Sequence, residues 1–113
     1  MDKLVEYSQI IRRILTGYIE LSDRSPQKEI ETFLIADDVK GHYIWMNLGW
    51  QNGDRFTGMT VYVRIIEGKF WIEEDWTEAG IANDLLREGV PKEDIVLAFH
   101  SPKMREYTGF AVA

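Results

Sequence analysis

Asn52-Gly53, set between two runs of alternating apolar and polar residues, constrains this chain more than any other feature. Both residue types tolerate the positive φ that a two-residue type I′ turn demands, so the pair predicts a β-hairpin joining His42–Trp50 to Phe56–Ile66. A second tight pair, Glu67-Gly68, carries that strand into Lys69–Glu74. Upstream, Ile30, Thr32 and Leu34 alternate with Glu31, Phe33 and Ile35, and the segment Asp37 to Gly41 turns the chain into His42. Three turns joining four strands in sequence order predict an antiparallel meander. Gly58, inside the third strand, is where a bulge or bend is expected.

Helical periodicity flanks the meander. Leu4, Tyr7, Ile11, Ile14, Leu15, Tyr18 and Ile19 recur at three- and four-residue spacing, which predicts an amphipathic helix from about Lys3 to Leu21. Asp2 is placed to cap its start, and the polar loop from Ser22 to Pro26 ends it. After the fourth strand, Asp75 as N-cap with Glu78 three residues on reads as a capping box. Arg87, Gly89 and Pro91 mark the far end of this second helix, with Gly89 at a left-handed C′ position and Val90 beside it, so its bounds fall at about Trp76 and Glu88. Pro91 to Asp94 starts one more turn. Ile95–Phe99 fits either a buried strand or a short buried helical segment, since five residues are too few for periodicity to separate them. The end, Gly109 to Ala113, carries no charged side chain and is expected to dock on the body or on a neighbouring subunit, which would make a homo-oligomer. The fold class is therefore α+β in a single domain, 1–113: an N-terminal helix packed on a four-stranded antiparallel meander, followed by a second helix and a short C-terminal strand or turn segment. A chain of this length hides roughly 65% of its unfolded surface and requires no metal or disulfide staple.

Charge narrows the partners. Between Glu67 and Asp94 lie nine acidic and three basic residues, a net of −6 that equals the charge of the whole chain, while the rest of the sequence balances. A surface polarised in this way repels phosphate backbones, so tight direct DNA binding by the isolated chain is not expected. The alternative is a nucleic-acid contact through Arg12 and Arg13 on the basic face of the first helix, although adjacent arginines on an amphipathic helix also read as its solvated side. The chain has no cysteine, which removes disulfides, thiolate metal sites and cysteine nucleophiles together. No apolar run approaches the ~18 residues of a membrane span, and charges interrupt the N-terminus where a signal peptide would be apolar. A cytoplasmic protein away from the membrane is expected.

Carboxylates at Glu73, Glu74, Asp75 and Glu78 with His100 have the chemistry of a hard-metal or acid–base site. Their spacing argues otherwise: neighbouring residues of a strand point to opposite faces, and Asp75 and Glu78 are already assigned to the helix start. Neither His42 nor His100 sits in a ligand pattern, and no nucleophile elbow or phosphate-cradling loop is present. No catalytic residue, cofactor or metal is expected. The tryptophans Trp45, Trp50, Trp71 and Trp76 with Tyr43, Tyr62 and Phe70 are dense for a small sheet. A nucleic-acid stacking platform would pair such aromatics with Lys and Arg, whereas here they neighbour Glu73, Glu74 and Asp75. Most read as core; Trp71 and Trp76 beside Glu73, Glu74, Asp84 and Glu88 read as a protein interface.

The opening MDKLVEYSQIIRRIL, the block WIEEDWTEAGIANDLLREGVPKEDIVLAFHSP and the closing REYTGFAVA together resemble the XisI-like family, the fdxN-element excision controlling factors found widely in cyanobacteria. The second block is the specific one, through its order of aromatic strand, Asp-x-Thr-Glu, helix, Gly-Val-Pro and Phe-His. The resemblance implies a non-enzymatic accessory role in DNA recombination, exerted on a site-specific recombinase or on a XisH-like companion of nuclease fold. It implies importance, without an assigned role, for Asp75, Thr77, Glu78, His100, Pro102 and Tyr107. Trp76 stands where the family pattern often has a small residue.

Overall fold

The structure, a computed structural model, describes residues 3–22 and 29–113. Asp2 and the loop after Ser22 as far as Pro26 lie outside the described residues. Among these, helix α1 (Lys3–Ser22) precedes strands β1 (Ile30–Asp37), β2 (His42–Gln51), β3 (Asp54–Ile66) and β4 (Lys69–Asp75). Helix α2 (Ile81–Arg87), a 3₁₀ turn (Lys92–Asp94), strand β5 (Ile95–Leu97) and helix α3 (Pro102–Arg105) follow. The four-strand meander is present, and β5 extends it to five strands in the order β1-β2-β3-β4-β5, running parallel to β4 while every other pair is antiparallel.

Turn chemistry accounts for the meander. Asn52 and Gly53 have φ of 52° and 82°, and Glu67 and Gly68 have 49° and 76°, so both hairpins take the positive-φ pairs that match strand twist. In the first turn the Asp37 carboxylate accepts from the amides of Val39 and Lys40 at 3.0 and 3.1 Å, holding the loop that leads into β2. The bulge falls two residues beyond the expected position: Gly58 stays in register opposite Asn47, and Thr60 is the extra residue, with Trp45 paired to Val61 and Met46 to Met59. Thr60 is drawn out of the ladder by its own bonds, since its hydroxyl accepts from Asn47 at 2.7 Å and its carbonyl from the Trp76 amide at 2.8 Å. A second bulge leaves Glu73 unpaired on β4.

One face of the sheet is the core. Leu34, Tyr43, Val61, Val63, Ile65, Phe70 and Ile72 point to it, and α1 lays Tyr7, Ile10, Ile11, Leu15 and Ile19 across them. Leu4, on the same helical stripe, is 38% exposed.

Helix α2 starts later than the sequence predicts. Asp75 caps no adjacent helix; its Oδ1 accepts from the Thr77 amide and hydroxyl at 2.9 and 2.6 Å, and its Oδ2 reaches the Ile81 amide at 2.7 Å. This local side-chain network competes with helical bonding over residues 76–80. Gly80, at φ 88° and ψ 127°, then occupies a conformation other residues avoid, so the helix begins only at Ile81 and Glu78 takes no part in a capping box. The far end is as predicted: Val90 donates to Leu85 and Gly89, at φ 91°, to Leu86, a Schellman closure with Val90 and Leu85 both buried.

Ile95–Leu97 takes the strand alternative because β4 leaves an edge for it, pairing Phe70 with Ile95 and Ile72 with Leu97. The uncharged C-terminus docks on the body. Ala111 donates to the Ile95 carbonyl at 2.9 Å, and Phe110 packs against the core.

Candidate partner interface

Three tyrosine–aspartate clasps, each completed by a cation, tie α1 to later segments, two of them through a tyrosine of α1 and the third through Arg12. Tyr7 donates to Asp94 at 2.6 Å, and Lys3 meets the same carboxylate oxygen at 2.7 Å. Tyr18 donates to Asp84 at 2.6 Å, and Arg87 also pairs with Asp84. Tyr43 donates to Asp38 at 2.7 Å, while Arg12 grips both oxygens of Asp38 at 3.1 and 2.8 Å. These bonds shift the groups as charge-assisted pairing requires. Burial first and then Asp94 push the Tyr7 hydroxyl up; the bond to Asp84 and then burial raise Tyr18 to about 12; burial and then Asp38 raise Tyr43 to about 12. Arg12 and Tyr43 hold the Asp38 carboxyl below its ordinary value. Burial alone would raise Asp94, but the hydrogen bonds from Lys3 and Tyr7 outweigh it and the net shift is downward.

The clasps redistribute the acidic flank. Asp84 is tied inward by Tyr18, with its side chain only 13% exposed, and Glu88 is gripped by Arg13 at 2.7 and 3.1 Å. Asp84 and Glu88 therefore line the shallow groove between α1 and α2, with Arg13, Ile14, Gly17, Tyr18, Leu21 and Arg87. Glu73 lies 3.6 Å from Arg64 on the sheet face away from α1, and Glu74 accepts from the Trp76 indole at 2.8 Å. Trp71 is covered by the Arg105 guanidinium, 5.5 Å from its ring centroid, whereas Trp76 is 75% exposed. The six expected interface residues thus fall into two groups: Asp84 and Glu88 at the helices, and Trp71, Glu73, Glu74 and Trp76 around the end of β4. Arg12 and Arg13 are both spent on carboxylates, a pairing that sequence spacing did not reveal.

The residues singled out by family pattern divide similarly. Asp75 and Thr77 form the network that starts α2. Glu78 is exposed. The His100 carbonyl accepts from Arg105 at 2.9 Å, and its ring lies 4.6 Å from that of Phe99. Pro102 opens α3, behind an N-cap Ser101 whose side chain accepts from the Met104 amide, and Tyr107 is 76% exposed.

The face away from α1 was not singled out from the sequence. Cross-strand register sets its rows: Asp37, His42, Arg64 and Trp71; then Ile35, Ile44, Tyr62 and Glu74; then Phe33, Met46 and Met59; then Glu31, Leu48 and Thr57. None of these residues is fully buried, whereas Tyr43, Val61, Val63, Phe70 and Ile72 on the α1 face are 0% exposed. The available signal was the run Thr32 to Ala36 and the run Tyr43 to Leu48, apolar in both phases of the strand rather than in one.

A helix laid across a five-stranded sheet, with a short parallel fifth strand and a docked C-terminus, defines a small α+β domain. The family model described as XisI protein matches residues 1–112, and the chain belongs to that family. Among solved structures, the chain is similar to a XisI-like protein from Anabaena variabilis ATCC 29413, with 38% identity and a TM-score of 0.89, covering 97% of this chain and 99% of that one. It is also similar to the fdxN element excision controlling factor XisI from Anabaena variabilis ATCC 29413, with 38% identity and a TM-score of 0.87, covering 99% of this chain and 100% of that one. No curated protein matches the chain.

Proposed function

We propose that this protein is a cytoplasmic, non-enzymatic accessory factor that controls site-specific excision of a DNA element through protein contacts with a XisH-like protein or a recombinase. The single observation that carries the reading is full-length similarity to an fdxN element excision controlling factor. The mode of action rests on electrostatics. Arg12 and Arg13, the basic pair best placed to meet DNA, are neutralised by Asp38 and Glu88, and the chain as a whole carries −6. That pair is therefore not free to displace counterions from a duplex. The exposed Trp76 beside Glu74, at the end of β4, supplies an aromatic anchor with an acidic neighbour for a basic protein surface.

Fluorescence anisotropy with duplex and single-stranded DNA near 150 mM salt tests this mode. Binding weaker than ~10⁻⁵ M is expected, in the range of non-specific contacts. Sub-micromolar binding with a steep salt slope would overturn the reading and make Arg12 and Arg13 DNA contacts.

A further inference from the structure

We propose that the outer edge of β1 receives an extended segment of a partner protein as a further strand, a segment with Lys or Arg at both ends and apolar residues between them. The two edges of the sheet are unlike. Outside β5 the C-terminal segment closes the ladder: Ala111 bridges to Val96, and its amide donates to the Ile95 carbonyl at 2.9 Å. Outside β1, among the described residues, no strand or bridge follows. The bond from the Trp50 amide to the Glu29 carbonyl, at 3.2 Å, sets the phase of the ladder in which Glu31, Phe33, Ile35 and Asp37 exchange bonds with β2. The N–H and C=O groups of Ile30, Thr32, Leu34 and Ala36 therefore point away from the sheet, at the spacing another strand requires. Edges that must stay unpaired are blunted by lysine, proline or a bulge. Strand β1 has none of these, and its register with β2 runs unbroken from Ile30 to Asp37.

Side chains select the strand. On the face away from α1, β1 reads Glu31, Phe33, Ile35 and Asp37, an acid at each end with two apolar residues between. Glu31 is exposed and takes part in none of the ion pairs among the described residues. Asp37 gives one carboxylate oxygen to the amides of Val39 and Lys40 and keeps the other, while its cross-strand neighbour His42 shares Nδ1 with the Tyr62 hydroxyl at 2.7 Å. Opposite residues of neighbouring strands interact on one face, so the complementary segment carries cation, apolar, apolar and cation at alternate positions. A second copy of β1 is a poor match. Antiparallel pairing about Leu34 sets Glu31 of each copy opposite Asp37 of the other, and pairing about Phe33 sets Glu29 opposite Asp37, like charges in both registers. The edge lies across the sheet from Glu74 and Trp76 at the end of β4, so the inference rests neither on that surface nor on the recombination role.

Amide hydrogen exchange followed by NMR, with sedimentation velocity for mass, tests it. The probe is a disulfide-closed hairpin peptide whose outer strand reads Lys-Thr-Val-Thr-Val-Thr-Lys, already extended so that little order has to be gained on binding. In the free chain the amides of Ile30, Thr32, Leu34 and Ala36 are expected to exchange fast, and those of Phe33 and Ile35 slowly. Millimolar probe should slow the first set by about tenfold or more in a complex of one chain with one peptide. The same hairpin with both lysines replaced by glutamate should leave these amides fast. Glu31→Lys in the chain should weaken binding of the lysine hairpin by about tenfold, since it turns attraction into repulsion at one end. Amides of the first set already slow in the free monomer, equal protection by the glutamate hairpin, or no protection by the lysine hairpin would overturn the proposal. So would protection that needs no peptide and comes with twice the monomer mass, which would assign the edge to a second copy. The exchange readout on the native chain keeps the test decisive even if Glu31→Lys fails to fold.

Discussion

Replacing Asp94 by alanine is expected to lower stability by about 3 kcal/mol, mostly by leaving the hydroxyl of a buried tyrosine without an acceptor. Tyr7 is 6% exposed and stacked on Phe70 with ring centroids 4.6 Å apart, so its ring is held in place and its hydroxyl is left where Asp94 was. Loss of the ion pair to Lys3, half exposed at 50%, adds less than about 1 kcal/mol. For a domain of this size the combined change lowers Tm by roughly 10 °C. The double variant Asp94→Ala/Tyr7→Phe should be more stable than Asp94→Ala alone, because it removes the stranded hydroxyl as well as its acceptor. The pH dependence has a fixed sign. Asp94 and Asp38 are held below their ordinary values in the fold, so their stabilisation is complete above about pH 4, the unfolded carboxyl value, and is lost as pH falls through the folded values. Urea unfolding at pH 7 and at pH 3 checks both points. The native chain should lose stability on acidification, and Asp94→Ala should lose less, since it lacks one of the groups that must be protonated. Equal acid sensitivity in the two proteins would show that Asp94 is not what joins the start of α1 to the entry of β5.

Asp75→Ala is expected to cost about 2 kcal/mol, because three hydrogen bonds converge on one half-buried carboxylate. The effect should be local. Without the bond to the Ile81 amide, α2 loses the anchor that replaces a conventional cap, and backbone amides from Ile81 to Leu85 should exchange faster than those of β3. Asp75→Asn retains only part of the acceptor set and should fall between the two. Unchanged exchange at Ile81 to Leu85 in Asp75→Ala would move the significance of this family-pattern residue from architecture to the surface.

Local chemistry with a single outcome was legible in the sequence. Asn52-Gly53 and Glu67-Gly68 have backbone requirements that few other conformations satisfy, and Gly89-Val90 closes a helix in the manner its residues dictate. Asp75 misled for a physical reason: a capping box and an Asp-x-Thr turn share the same first residue, and only Gly80, whose positive φ interrupts the path, decides between them. The bulge at Thr60 was equally hidden, since Asn47, thirteen residues away, is what draws the threonine out of register. Long-range pairing was the larger gap. Nothing in the order of residues links Tyr7 to Asp94 or Arg13 to Glu88, so an acidic flank that looked solvated proved partly neutralised. A test that reverses Asp84 and Glu88 together with Glu73 and Glu74 would therefore disturb the α1–α2 contact as well as any interface. The open sheet face is legible only as strands apolar in both phases, since Phe33, Ile44 and Met46 occupy the phase opposite to the one packed under α1.

The central claim, control of excision through protein rather than DNA contacts, is tested most directly by surface capture of a XisH-like protein on the immobilised chain. The native protein and the double variant Glu74→Lys/Trp76→Ala should be compared at physiological salt. Both substitutions lie outside the tyrosine–aspartate clasps, and surface changes of this kind usually alter stability by no more than about 0.5 kcal/mol each, so the fold should be kept. The account predicts micromolar or tighter capture by the native chain, at least tenfold weaker capture by the variant, and melting temperatures within about 4 °C of each other. Equal capture by the two proteins, or no capture by the native chain alongside sub-micromolar binding of duplex DNA, would contradict it.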